Sequence, residues 1–245
     1  MLKQQEDLEF LEQDRVCSYF CEKKSDLRYR YINNCTENDY LKMLERGWRR
    51  FGKIYFVPEC KDCFECVSMR IDVKKFEFSK NQKKILSKNR KIKILIQAPS
   101  ISREHLELYD KYHSFMKDKK SWKYTPTEVN EYYSSYVSGN LSFAKELLFF
   151  RDDELIGVAL LDILGRGLSS IYCFYSHEFA KLSLGKFSIL TQIQLAKSLN
   201  IPYIYLGYWI KNHLSMGYKD YYEPFEILLN RPKLDEKAIW QSYKA

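Results

Sequence analysis

The sequence predicts an α+β protein built on a mixed, largely antiparallel sheet. Three observations carry that prediction. From residue 91 onward, apolar runs and helix-period stretches alternate in the order β-α-α-β-β-β-α-β-(α)-β. Three of those strands, 147–150, 155–163 and 168–175, are joined by the tight turns Arg151-Asp152-Asp153 and Gly165-Arg166-Gly167, which makes an antiparallel meander. The stretch 168–210 then reads as strand, helix, strand. Its second strand, 203–210, is a continuous apolar and aromatic run, the pattern of burial on both faces.

Taken in order, residues 1–35 are polar and irregular, with Cys17, Cys21 and Cys35 among them. A helix is expected over 36–46, with Tyr40, Leu41 and Leu44 as its apolar side and Gly47 as its stop. Short strands at 48–51 and 54–57 flank Gly52-Lys53, a hairpin signal. Cys60, Cys63 and Cys66 follow at C-x2-C-x2-C spacing, and a strand over 67–73 carries Arg70. Ser79 caps a basic helix in which Lys80, Lys84 and Lys88 recur every four residues, with Lys83 and Arg90 close to the same face. A strand at 92–96 ends before Pro99, and a helix over 102–116 aligns Leu106, Tyr109, His113 and Met116. Thr125-Pro126-Thr127-Glu128 reads as a capping box with Pro at the first helical position, opening a second helix to about residue 137. In the helix within 168–210, Ile189, Ile193 and Ala196 share one face, which Leu190, Leu195 and Leu199 widen. Asn200-Ile201-Pro202 ends it, because Pro cannot continue a helix. Its entry, Ser183-Leu184-Gly185, leaves backbone N–H groups free and suits a phosphate; the alternative is an ordinary turn in a βαβ core. A short segment at 211–216 and a strand near 225–229 follow.

The charge is concentrated. Residues 46–93 hold fifteen Lys/Arg against five Asp/Glu, an excess of +10, more than the +8 of the whole chain. Such a region is the footprint of a polyanion, most often nucleic acid, unless it is merely a solvated basic face. The expected division is therefore a basic, Cys-rich domain over 1–90 and a second domain, holding the ordered strands and helices, over 91–245. Residues 1–14 are charged throughout and no apolar run reaches the length of a membrane span, so the expected compartment is the cytoplasm, without a membrane partner. Seven cysteines in that setting read as reduced thiols or metal ligands rather than a disulfide framework. The four histidines show no ligand spacing and read as structural or surface residues.

The element order resembles the GNAT-type acyltransferase fold. There the strands on either side of the long helix splay apart around an acyl donor, and the turn into the helix grips the donor's phosphates. The motifs narrow this further. Gly47-Trp48-Arg49-Arg50-Phe51-Gly52, Pro58-x-Cys60-x-x-Cys63-x-x-Cys66, Arg70-Ile71-x-Val73, Gln82 with its basic neighbours, and Gly167-Leu168-Ser169 stand in order. Ser183-Leu184-Gly185, Tyr205-Leu206-Gly207-Tyr208-Trp209-Ile210, Met216-x-Tyr218-Lys219 and Pro224-x-Glu226 continue the series. Together they resemble the bacterial branch of the arginyltransferase family, the aspartate/glutamate leucyltransferases, over about residues 17–226. The chain departs from that pattern at Lys83-Lys84, where the family usually has an Arg pair, and at Ser176-His177. It departs again at Phe20-Cys21, which replaces a proline-containing segment.

The resemblance implies transfer of leucine from the acceptor end of leucyl-tRNA to proteins that begin with Asp or Glu, with arginyl transfer as the alternative donor. The ester is already activated, so no cofactor is required, and an α-amine with a pKa near ~8 supplies its own neutral fraction. Asp162, Tyr172 and Tyr208 are the candidate catalytic helpers, each otherwise a core or strand-end residue. Arg49, Arg50 and Arg70 are the candidates for the acceptor's carboxylate, since Arg binds carboxylates through two parallel hydrogen bonds; phosphate contact or a structural ion pair is the other reading. Lys80, Lys83, Lys84, Lys88 and Arg90, with Ser183 and Gly185, fall to the tRNA; DNA is not an expected partner. Cys17, Cys21, Cys60, Cys63 and Cys66 could hold zinc or an iron–sulfur cluster, though free thiols are the stronger reading. The rival functions are an acyl-CoA-dependent enzyme of the same fold and a non-catalytic RNA-binding protein.

Overall fold

The computed structural model describes residues 7–120, 122–139 and 141–243. Contrary to the irregular stretch expected at the start of the chain, β1 (Leu8–Val16) and β2 (Lys24–Tyr31) form an antiparallel pair with Leu8 opposite Tyr31. Nearly all of β1 is exposed, so no buried face imposed an alternating pattern that the sequence could display. Cross-strand contacts hold it instead: Phe10 stacks on Tyr29, and Arg28 bonds Glu9.

In α1 (Glu37–Glu45) the Thr36 hydroxyl accepts from the Asp39 N–H at 3.1 Å, and Tyr40, Met43 and Leu44 are buried. The expected hairpin is β3 (Arg49–Phe51) and β4 (Ile54–Pro58), turning through Gly52 at positive φ. These strands complete a four-stranded sheet in the order β1-β2-β4-β3.

Next come β5 (Val67–Asp72) and α2 (Lys80–Lys88), the latter opened by a full capping box between Ser79 and Gln82. They are followed by β6 (Lys93–Gln97) and α3 (Arg103–Lys120). The expected capping box at residues 125–128 does not form. Asp110 on α3 accepts from the Tyr124 hydroxyl and the Thr127 N–H, which holds this segment extended. Glu128 then caps a single turn, α4 (Val129–Tyr132), without a side-chain hydrogen bond, and a wider turn over Tyr133–Val137 follows.

The meander is β7 (Ala144–Arg151), β8 (Glu154–Leu164) and β9 (Gly167–Tyr175). It leads to α5 (Leu184–Ser198) and β10 (Tyr203–Trp209). Two strands end the chain: β11 (Phe225–Leu228) and β12 (Trp240–Tyr243), the second of them unexpected. The larger sheet runs β12-β11-β5-β10-β9-β8-β7-β6. Every neighbouring pair in it is antiparallel except β9 and β10. This is a mixed α+β architecture. β5, from the basic N-terminal third, lies inside this sheet between β11 and β10, so the expected boundary at residue 90 falls after a strand the larger sheet includes. The main core packs around α5, whose Leu190, Ile193 and Ala196 are fully enclosed. A second cluster gathers Leu108, Tyr132, Val158 and Phe174 under α3. Among the described residues, no helix is long and apolar enough to cross a membrane.

Candidate active site

The parallel ladder between β9 and β10 covers only Leu168–Ile204 and Ser169–Tyr205, although β9 continues to Tyr175 and β10 to Trp209. Past those pairs the two strands form a fork. Arg49 of β3 reaches its vertex, where its guanidinium donates to the carbonyls of Tyr205, at 3.3 Å, and Ser170. It is 8% exposed, so the fork is tied together by a buried cation from the smaller sheet. β10 makes room with an irregularity between Tyr205 and Gly207 in its pairing to β5. Gly207 sits at φ +81°, and a Cβ there would lie 3.3 Å from Arg49 Nε. Gly207→Ala therefore meets both a disfavoured backbone and the guanidinium. It is expected to cost about 1–3 kcal/mol, read as a lower urea midpoint with an unchanged slope.

Arg50, next along β3, points into a different environment. Its Nε donates to Asp162 Oδ2 at 2.9 Å, its Nη2 to Asp162 Oδ1, and its Nη1 to the Gly52 carbonyl at 3.0 Å. The side chains are 3% and 0% exposed. Burial raises the proton affinity of the Asp162 carboxyl and Arg50 opposes it; two hydrogen bonds from a guanidinium that keeps its proton hold the carboxylate form. Asp162, expected as a polar tip beside the reaction, is therefore an anchor for β3. Arg70 is likewise paired: Glu226 lies opposite it on β11 and accepts at 2.7 Å, while Tyr203 and Trp240 cover the guanidinium at 3.8 and 4.3 Å. Of the three arginines expected to meet a substrate carboxylate, only Arg49 forms no ion pair among the described residues.

Tyr208 is also engaged. Its hydroxyl donates to the Gly47 carbonyl at 3.0 Å, joining β10 to the turn after α1. Tyr172 differs, because its partner titrates. His113 Nδ1 lies 2.9 Å from the Tyr109 carbonyl, an acceptor only, so Nδ1 carries the hydrogen. Burial lowers the proton affinity of the ring, and its Nε2 accepts the Tyr172 hydroxyl proton at 2.8 Å. His113 on α3, expected as a structural or surface residue, thus forms a hydrogen-bonded pair with Tyr172 on β9 beyond the vertex. Spacing alone could not find it, since the two residues meet only through the packing of α3 on the sheet.

Lys219 was also missed. It lies in the turn Gly217–Tyr221, is 6% exposed, and donates to the Tyr208 carbonyl, with Met216 Sδ 4.0 Å away. Burial, and next the charge of Arg49, push its ammonium down to about 7. The Met216-x-Tyr218-Lys219 motif was visible, but nothing in the sequence separates a buried lysine from an exposed one.

Lys80, Lys83, Lys84, Lys88 and Arg90 are all exposed along and just beyond α2. That helix packs on α5, and Asn89 donates to the Leu182 carbonyl at 2.9 Å, next to the Ser183-Leu184-Gly185 turn. Ser183 adopts the left-handed conformation, and a Cβ on Gly185 would meet the Tyr175 ring at 3.1 Å. The basic helix and the first turn of α5, whose N–H groups lack intrahelical acceptors, are thus neighbours.

Around Cys66, burial and then the neighbouring Cys17, Cys60 and Cys63 push the thiol up to about 12. Arg231 donates to the Cys60 and Cys63 carbonyls at 2.8 and 2.6 Å, fixing their loop. Cys21 is exposed and outside this group. Among the described residues, no group of three or more His, Cys, Asp or Glu is arranged to hold a metal. A cavity of about 650 Å³ adjoins this loop, lined by Arg28, Glu59, Trp48, Tyr208 and Arg231 among others; Arg49, Tyr172 and Lys219 lie outside its lining.

The family described as arginine-tRNA-protein transferase matches the chain twice, its N terminus over residues 15–84 and its C terminus over 104–229. The chain is 46% identical over 236 residues to an aspartate/glutamate leucyltransferase of Helicobacter hepaticus, covering 96% of this chain and 98% of that one. It is 46% identical over 226 residues to one of Campylobacter jejuni, covering 92% and 95%. It is 33% identical over 220 residues to one of Pseudomonas fluorescens, covering 89% and 92%. Among solved structures, FemX aligns over 76% of this chain and 63% of its own, at 11% identity and a TM-score of 0.46. L-PGS from Bacillus licheniformis aligns over 74% and 53%, at 14% identity and a TM-score of 0.46.

Proposed function

The chain belongs to the arginine-tRNA-protein transferase family, and from that premise we propose that it is an aspartate/glutamate leucyltransferase. It takes leucine from leucyl-tRNA and joins it to the α-amine of proteins that begin with Asp or Glu, marking them for degradation. The observation that carries this reading, beyond kinship, is the β9–β10 fork with a buried, carboxylate-free arginine at its vertex. Such an opening beside the long helix is the feature for which a GNAT-like description is proposed.

The reaction is an aminolysis. The neutral α-amine attacks the leucyl ester carbonyl, a C–N bond forms, the C–O bond to the tRNA 3′ oxygen breaks, and the amine's proton finally resides on that oxygen. The ester supplies the driving force, so the chain's own task is to position the two reactants and stabilise the oxyanion. Tyr172, with His113 behind its hydroxyl, is the proposed proton-handling pair: the phenol oxygen accepts the amine's proton as its own proton passes to His113 Nε2, and the reverse transfer returns a proton through the phenol to the leaving oxygen. The cations of α2 and the entry to α5 take the acceptor-end phosphates. Residues 1–90 contribute recognition, and residues 91–245 form the fork. No cofactor enters this scheme.

The test is transfer of labelled leucine from a pool of charged tRNAs to peptides that differ only in their first residue. Leucine should appear on Asp- and Glu-started peptides at least ~100-fold faster than on others, consistent with the loss expected where a site's polar group is left unpaired. Transfer of arginine in its place would assign the alternative donor. Absence of transfer from any charged tRNA would overturn the reading.

A further inference from the structure

Arg49 and Lys219 are the anomaly of this molecule. They are 8% and 6% exposed, and neither forms an ion pair among the described residues, whereas Arg50 has Asp162 and Arg70 has Glu226. Burying an uncompensated charge is expensive, and placing a second one beside it is more so. All the hydrogen bonds they give to oxygen go to backbone carbonyls of the forked strands: Ser170 and Tyr205 from Arg49, Tyr208 from Lys219. An ammonium has three donors, and among the described residues this one meets a single oxygen.

Among the described residues, no neighbouring group supplies the missing negative charge. Asp162 is within electrostatic reach of Arg49, but both its oxygens are engaged by Arg50. Cys66 faces Lys219 as a thiol, because burial and the other cysteines raise its proton affinity. Tyr19 and Tyr208 face Arg49 as neutral phenols, raised by burial. The two cations arrive from distant parts of the chain, β3 and the Gly217–Tyr221 turn, and meet beside the fork.

We propose that Arg49 and Lys219 together form the pocket that recognises the side-chain carboxylate of the acceptor's first residue, with Lys219 as its second specificity-determining residue. This rests on the reading that the chain transfers to acidic N-termini. A carboxylate is small enough for an enclosed site, whereas a tRNA phosphate arrives with nucleotides on both sides, and exposed cations on α2 already serve it. The other two arginines are excluded because their hydrogen bonds are already directed to protein carboxylates.

The experiment compares wild type with Lys219→Met on peptides starting with Asp and with Asn, using leucyl-tRNA as donor. Wild type should favour Asp over Asn by ~100-fold or more in kcat/KM. Lys219→Met should lose most of that preference, chiefly through KM for the Asp peptide, with leucyl-tRNA binding unchanged in a filter assay. A second measurement needs no variant. Calorimetry of wild type with the Asp peptide at pH 8, in buffers of different ionisation enthalpy, should reveal about one more proton taken up than with the Asn peptide, because the carboxylate restores the proton of Lys219. Retained Asp preference in Lys219→Met, loss of tRNA binding, or equal proton uptake with both peptides would each overturn the pocket. If wild type transfers leucine without preferring acidic first residues, the acceptor reading fails and the pocket fails with it.

Discussion

Asp162→Ala should lower stability by about 3–5 kcal/mol, the cost of leaving a buried guanidinium without its carboxylate. In a chain of this size that is a fall in Tm of roughly 10 °C or more. The reason is local. Arg50 is 3% exposed, sits near the rings of Tyr40 and Phe143, and among the described residues has only the Gly52 carbonyl as an additional acceptor. Water cannot replace Asp162 there without opening the contact between the two sheets. Urea denaturation of the single variant and of Arg50→Met/Asp162→Leu separates the pair's net worth from the penalty of an orphaned charge. The double variant should return to within about 1–2 kcal/mol of wild type, since no charge is left unpaired. A loss below about 1 kcal/mol for Asp162→Ala would mean that the pair is solvated.

The second large effect is on tRNA. Replacing Lys83, Lys84 and Lys88 by Ala should weaken leucyl-tRNA binding by roughly 100-fold near 0.1 M salt and make the slope of log K against log salt shallower by about 2–3. The residues are exposed and form no ion pairs among the described residues, so melting should change little. Filter binding at four or more salt concentrations reads both quantities. An unchanged slope would remove α2 from the interface. Weakening should also be similar for different tRNA sequences, because lysine on phosphate positions the duplex without reading bases.

Much of the architecture was legible because most of it is local. The meander announced itself through two short turns, the capped helix through Ser79 and Gln82, and the fork-forming strand through an unbroken apolar run ended by Ile210. β1 and β12 were not legible, because their residues pair without burying a continuous face. The residues 125–128 carried a helix-start signal that Asp110 overrides by accepting from the Tyr124 hydroxyl and the Thr127 N–H, fourteen and seventeen positions away in the sequence. The site shows the same limit. Motif order brought Arg49, Arg50 and Arg70 to notice together, yet only contacts made across the fold distinguish one unpaired guanidinium from two that are satisfied. What sets Lys219 and His113 apart from other residues of their type is only what surrounds them.

The place of β5 has a consequence for how this protein comes into being. Its partners, β10 and β11, are made more than a hundred residues after it, so on the ribosome it emerges with neither edge matched. The meander can assemble beforehand, but the strand that unites the basic third with the rest must wait until nearly the whole chain is synthesised. Arg49 reaches the fork only through the same late assembly, which makes the proposed acceptor pocket one of the last features to exist. Genetic separation of the two family-defined parts would expose both edges of β5 and one edge each of β10 and β11, a template for aggregation rather than a pair of working modules.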